Sequence, residues 1–175
     1  QLRRDSDLSI KFSGLITKKI LSNELIKSFA LPKKIHGTIF SKSTSGMKYG
    51  RHIDNAYMSS GRADLSFTVF LNCKKKYEGG ALSIQGLNSE EKFKLDAGEI
   101  IIYPSTYLHS VEKVIDGERL VFIGWIESYV KSIEEREYLF DLDAAARSLL
   151  AKYGRSEEVD LIYKSYSNFL RRLGN

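Results

Sequence analysis

The stretch His109-Ser-Val-Glu-Lys-Val-Ile-Asp-Gly-Glu-Arg-Leu-Val-Phe-Ile-Gly-Trp-Ile-Glu-Ser128 decides the fold. Its β-branched and aromatic content reads as two strands, 109–115 and 119–128, with Asp116-Gly117 as the turn between them. In a plain two-residue hairpin closed by that dipeptide, Val114 would pair with Arg119 and His109 with Gly124. The offset from 114 to 109, at ~3.4 Å per residue, would set His109 and Arg119 on the order of 17 Å apart and on opposite faces. The two can serve one small site only if the chain turns a corner here and carries its strands into facing sheets. A jelly roll does that.

The reason to ask for one site lies upstream, in Tyr49-Gly-Arg-His-Ile-Asp-Asn55. On an extended strand, positions i and i+2 point to the same face, so the His52 imidazole and the Asp54 carboxylate would converge. With His109 they give two nitrogens and one oxygen on one side of a metal and leave the other side open. That donor set suits a non-haem Fe(II) centre that activates O2. The bland alternative is a strand end where His52 caps a neighbour, Asp54 faces water and His109 bonds a backbone carbonyl. Of the three histidines, His36 has no carboxylate at a matching spacing and reads as structural. Arg119 reads either as an exposed strand residue or as a planar fork that grips a carboxylate bidentately. A cosubstrate that chelates the metal as a keto acid and carries a second carboxylate would need such a clamp.

The remaining chain is ordinary in composition. Its 175 residues, 42% hydrophobic and 28% charged, suffice for one domain with a core that needs no disulfide staples. No apolar run approaches the length of a membrane-spanning helix. Cys73 is the sole cysteine, which rules out an internal disulfide and suits a reducing, cytoplasmic compartment. The net charge of +5 is uneven: residues 1–50 hold ten Lys/Arg against three Asp/Glu, +7, leaving −2 for the rest. A solvated basic face explains this; nucleic acid is the sharper reading, but no aromatic–basic interleaving supports it.

In chain order, a strand is expected near Leu15-Ile-Thr17. A short helix over 23–30 follows, capped by Ser22 and closed by Pro32, then a strand over 34–41. Short strands succeed one another at 63–72, 81–84, 93–95 and 99–103, with no helices between them, which indicates a sandwich or barrel. Helical periodicity returns late. Asp141 is expected to cap a helix over 142–153, and Ser156 one that runs to Leu173. The stripe Val159, Ile162, Tyr163, Tyr166, Phe169 and Leu170 reads as packing on the barrel, and Trp125 reads as core. Tyr49 and Tyr103 are either lining residues of the cavity or aromatic filling.

Taken together, Tyr49-Gly-Arg-His-Ile-Asp-Asn-Ala56, Arg62-Ala-Asp-Leu-Ser66, Phe70-Leu-Asn72, Tyr77-Glu-Gly-Gly80, Tyr103-Pro-Ser105, Leu108-His-Ser-Val111, Gly117-Glu-Arg119 and Trp125-Ile-Glu-Ser128 resemble the PKHD-type hydroxylases. Arg51-His-Ile-Asp-Asn55 is also similar to the oxygen-sensing prolyl hydroxylases of animals. Leu139-Phe-Asp-Leu-Asp143 and Tyr166-Ser-Asn-Phe-Leu-Arg171 resemble that family's helical tail. Members usually carry further residues before a segment like Gln1-Leu2.

The resemblance implies a mainly β fold with flanking helices, a double-stranded β-helix with a C-terminal helical extension. Residues 1–33 would form an N-terminal flanking segment, 34–128 the jelly-roll core and 129–175 the extension packed on it. His52, Asp54 and His109 would be the Fe(II) ligands, and Arg119 would hold the far carboxylate of 2-oxoglutarate. O2 would be the oxidant and ascorbate an accessory reductant. Two departures stand out: Ser43 occupies a position where the family often has a tyrosine near the cosubstrate, and Cys73-Lys-Lys-Lys76 replaces a more proline-bearing segment. The implied activity is hydroxylation of a C–H bond, with succinate and CO2 as co-products and a prolyl-type residue of a protein or peptide as substrate.

Two alternatives compete. A nucleobase demethylase would use the same chemistry and show salt-sensitive nucleic-acid binding. A non-catalytic metal-binding jelly roll would have no use for the carboxylate clamp at Arg119.

Overall fold

The computed structural model describes residues 6–86 and 88–175; residues 1–5, the start of the expected flanking segment, and Leu87 lie outside the described residues. The chain divides into two compact units. One comprises residues up to Thr17 together with Lys34–Glu127, and the other Lys18–Lys33 with Ser128–Asn175.

The first unit is a double-stranded β-helix. In chain order its strands are β1 (Pro32–Thr44), β2 (Tyr49–His52), β3 (Tyr57–Met58), β4 (Gly61–Arg62), β5 (Leu65–Phe70), β6 (Tyr77–Gly79), β7 (Leu82–Gln85), β8 (Glu90–Phe93), β9 (Ile100–Pro104), β10 (His109–Val111) and β11 (Val114–Ser128). One sheet runs β1-β11-β5-β9, with β6 also paired to β11; the other runs β2-β10-β7-β8, and β3 and β4 form a separate hairpin. Strand β5 is buried at every position, as befits a strand inside the sheet with both faces covered. Phe122 packs between Phe40 and Phe67, at ring-centroid distances of 4.7 and 5.9 Å.

The expected corner exists, but not where Asp116-Gly117 seemed to place it. The chain breaks between β10 and β11, at residues 112–113, and the two strands enter different sheets. Asp116 and Gly117 lie inside β11, opposite Glu78 and Tyr77 of β6, and the register slips just before them, between Val114 and Asp116. Gly117 has φ +76, and a Cβ there would stand 2.3 Å from the Lys76 carbonyl oxygen. The Asp-Gly pair thus lies within the strand just past a bulge at Ile115, with Gly117 at a position that only glycine fits, rather than in a hairpin turn.

Other expectations shift similarly. Leu15-Ile-Thr17 is helical, within α1 (Asp7–Leu21). The next helix, α2 (Glu24–Ala30), is capped by the Asn23 side chain rather than Ser22. Leu31 ends it with φ 42 and donates its N–H to the Lys27 carbonyl, a left-handed cap just before Pro32.

The second unit is helical. It holds α2 together with α3 (Ile133–Tyr153) and α4 (Glu157–Leu173). Helix α3 starts at the Ser132 cap, well before Asp141, whereas α4 starts at Ser156 as read from the sequence. Leu31, Val130 and Leu139 form its core, with Tyr166, Leu170 and Leu173 packed against them. The α4 stripe therefore finds its partners within the helical unit, and Phe169 stays 47% exposed.

Candidate metal centre

Three side chains from three places in the chain converge. His52 ends β2, His109 opens β10, and the two stand opposite each other in the antiparallel ladder with ring centroids 4.2 Å apart. Asp54 lies two residues beyond β2, on irregular backbone. The i, i+2 spacing therefore works through a strand end and the loop after it rather than along one strand. Ligand atoms of His52, Asp54 and His109 all lie within 4.8 Å of one another.

Each donor is held in position. His52 Nδ1 lies 2.8 Å from the Gly50 carbonyl oxygen, and His109 Nδ1 3.0 Å from that of Tyr107. A carbonyl only accepts, so both Nδ1 atoms carry a proton, and in the neutral imidazole that leaves the Nε2 lone pair for a metal. Those Nε2 atoms face the carboxylate: His52 Nε2 is 3.8 Å from Asp54 Oδ1, and His109 Nε2 is 3.7 Å from Asp54 Oδ2. Ser66 donates to Asp54 Oδ2 at 2.5 Å and stands 2.7 Å from the Ser105 hydroxyl. Because the Ser66 proton goes to Asp54, Ser105 is the donor of the second bond. Ser66 and Ser105 are buried, and the sequence reading gave neither of them a role. Their only signal was position: both sit within the motifs that carry the family resemblance.

The cluster lies in the wall of a cavity of about 380 Å³ between the two sheets. Strand β11 contributes Arg119, Val121, Ile123 and Trp125, alternate residues of one face, and β1 contributes Ile39, Ser41 and Ser43. Trp125 is thus part of the cavity wall rather than core. Tyr103 also lines the cavity, buried and edge-on to His109 at 5.1 Å between ring centroids. Tyr49, by contrast, is 61% exposed and borders the cavity with its ring 4.5 Å from that of His52. His36 is buried away from the cluster, bonded to the Ser60 hydroxyl and the Arg62 carbonyl, in keeping with a structural histidine.

Arg119 is 3% exposed, and among the described residues no carboxylate pairs with it. Its Nε has no hydrogen-bond partner there, and the guanidinium carbon lies 5.7 Å from the centre of the Phe70 ring. Burial pulls its pKa below the ordinary arginine value, opposed by the nearby Tyr77 and Tyr103 hydroxyls. A buried guanidinium without a counter-ion is costly. An anion entering the cavity would offset that cost. The donor set of the cluster and the unpaired guanidinium in the same cavity both fit a metal with a carboxylate-bearing cosubstrate.

Comparison with known proteins agrees with this chemistry. Residues 38–127 match the family profile of the 2OG-Fe(II) oxygenase superfamily, and 134–174 that of the PKHD-type hydroxylase C-terminal domain. A PKHD-type hydroxylase of Prochlorococcus marinus strain MIT 9215 is 76% identical over 174 residues, which is 99% of this chain and 79% of that protein. One from strain MIT 9515 is 72% identical over 175 residues, covering 100% and 79%. Among solved structures, a Pseudomonas putida prolyl-4-hydroxylase aligns at 22% identity over 69% of this chain and 63% of its own, with a TM-score of 0.48. A Trichoplax adhaerens prolyl hydroxylase aligns at 19% identity over 75% and 59%, also with a TM-score of 0.48. The protein is a 2-oxoglutarate-dependent dioxygenase of the Fe(II) oxygenase superfamily. Within that superfamily, the chain belongs to the PKHD-type hydroxylases.

Proposed function

We propose that the cavity binds Fe(II) through His52, Asp54 and His109 and grips the distal carboxylate of 2-oxoglutarate with Arg119. The observation that carries this reading is the pairing of a two-histidine, one-carboxylate cluster with a buried, uncompensated guanidinium in one cavity. Bound Fe(II) with 2-oxoglutarate supplies the O2 chemistry that hydroxylates a C–H bond and yields succinate and CO2, with ascorbate as accessory reductant.

The chain's own part is orientation and exclusion of water. The Gly50 and Tyr107 carbonyls hold both imidazoles with Nε2 toward the metal position. Ser66 fixes the Asp54 carboxylate, and the alternating β11 face, apolar between Arg119 and Trp125, walls the cavity.

The substrate we infer is a prolyl-type residue of a protein or peptide. The similarity of Arg51-His-Ile-Asp-Asn55 to prolyl hydroxylases supports this, as does an exposed tyrosine, Tyr49, bordering the cavity. Residues 34–128 form the catalytic core in this reading, with 1–33 and 129–175 as flanking segments. A single cysteine is compatible with a reducing, cytoplasmic setting. No helix among the described residues is long and apolar enough to cross a membrane.

The test is anaerobic addition of Fe(II) and 2-oxoglutarate, followed by O2. A weak visible charge-transfer band, then succinate released at a slow rate without substrate, is the expected result. Metal binding with no band on adding 2-oxoglutarate would replace the enzyme reading with a metal-binding module.

A further inference from the structure

Strand β2 ends on His52 and is an edge of its sheet. Which of its backbone groups face the open side follows from the neighbouring strands. Gln85 donates its N–H to the Leu108 carbonyl and Glu112 donates to that of Ala81, so Leu108, Ser110 and Glu112 turn their backbone groups to β7. His109 and Val111 turn theirs to β2. His52, opposite His109, therefore aims its N–H and C=O at β10, and its neighbour Arg51 aims both the other way. Gly50 and Arg51 are exposed, and among the described residues nothing takes the Arg51 backbone groups.

An extended chain laid along that edge, about 4.8 Å away, would pair with Arg51. Residues directly opposite across a strand pair share a face, so the residue opposite His52 would point its side chain toward the cavity, as His52 does. Its own N–H and C=O would face away from β2, because those of His52 are directed at β10. A proline, which has no N–H, loses nothing in that place. The residue beside it would lie opposite Arg51. Charge at this edge has one sign. Between Phe40 and Asp54 the chain has Lys42, Lys48 and Arg51 and no carboxylate. Lys42 pairs with Glu118, whereas Lys48, in the cavity wall, and Arg51 have no carboxylate partner among the described residues.

We propose that the free edge of β2 receives an extended segment of a peptide substrate, with the target prolyl residue opposite His52 and an acidic residue next to it, opposite Arg51. The inference rests on the reading of the cavity as an Fe(II)/2-oxoglutarate site for a prolyl-type residue. It makes β2 a template for the substrate: main-chain hydrogen bonds at Arg51 set the register, and the Arg51 charge selects the neighbour of the proline.

The probes are short fluorescein-labelled peptides with one central Glu-Pro-Glu or Lys-Pro-Lys, titrated by anisotropy into anaerobic protein loaded with Fe(II) and 2-oxoglutarate. The Glu-Pro-Glu peptide should bind the more tightly. Methylating the backbone nitrogen of each Glu in turn should find one position that weakens binding about tenfold, the size of one main-chain hydrogen bond with its steric block. Methylating the residue two places from the proline, whose N–H faces away from β2, should change binding by less than about twofold. Arg51→Glu should weaken the Glu-Pro-Glu peptide about fivefold and leave the slow succinate release without substrate unchanged. Loss of that basal rate as well would make Arg51 structural, and the methylation pattern in wild type then decides alone. No binding, equal binding of both peptides, or methylation effects without alternation would overturn the proposal while the charge-transfer band upholds the site reading. Absence of the band in wild type would overturn both.

Discussion

Ser66 shows how much of the site is carried by residues that would never touch the metal. Its hydroxyl donates to Asp54 and receives from Ser105, a short chain of buried hydroxyls that fixes one carboxylate oxygen. Groups that orient a ligand commonly account for about 10–100-fold in metal affinity. Ser66→Ala should therefore weaken Fe(II) binding by roughly tenfold or more while leaving the fold in place, because the change removes one small buried oxygen. Chelator competition reads it directly. Unaltered affinity would mean that Asp54 needs no such support. At this scale the sequence singled out His52, Asp54, His109 and Arg119 as candidates from their ligand and carboxylate-gripping chemistry, and the structure brings all four to one cavity. The sequence hid Ser66 and Ser105, because a buried serine looks like any other serine until its partner is known.

At the scale of elements, the two misread helices share one cause: polar side chains interrupt the apolar residues of the buried face. In α1 the less exposed positions are Ser9, Ser13, Ile16, Thr17, Ile20 and Leu21, a set of which half are small polar side chains. In α3 the buried residues are Arg136, Leu139, Asp143 and Ala146, at helical spacing but with two charges among them. Arg136 donates to the Val130 and Lys131 carbonyls, while Asp143 accepts from Ser28 and Arg147. Hydrophobic periodicity cannot find such helices, since their inward charges are satisfied by partners distant in sequence or outside the helix. The apolar strands were legible for the opposite reason.

Strand β1 offers a test at the same scale. Gly37 has φ +65, and a Cβ there would meet Trp125 Cε3 at 2.6 Å. A left-handed alanine costs roughly 1–2 kcal/mol, before the indole is displaced. Gly37→Ala should therefore lower stability in denaturant unfolding. It should also shift the emission of Trp125, which as the sole tryptophan reports from the cavity wall. An unchanged emission maximum with unchanged stability would show that the ring does not rest on this glycine.

For the whole molecule, the uncompensated Arg119 makes stability a readout of occupancy. Its folded-state pKa lies below the ordinary value because burial disfavours the charged form. A group with a lowered folded pKa favours folding once it loses its proton, and near neutral pH Arg119 is protonated in both states. The folded protein therefore carries the full cost of the buried charge at neutral pH until an anion arrives. A ligand that binds only the folded state adds about 2.7 kcal/mol at one hundred times its Kd, and a carboxylate at Arg119 should add its share only in the presence of the guanidinium. Replacing Arg119 by methionine, of similar length and without charge, removes both the cost and the attraction. Three melting curves decide the matter: protein alone, with a redox-inert divalent metal, and with metal plus 2-oxoglutarate. Arg119→Met should melt no lower than wild type when alone and gain the same increment from metal. It should lose the further increment that 2-oxoglutarate gives the wild type. A variant that melts well below wild type without ligands would mean that Arg119 supports the fold through contacts of its own. Retention of the 2-oxoglutarate increment would move the carboxylate clamp elsewhere in the cavity.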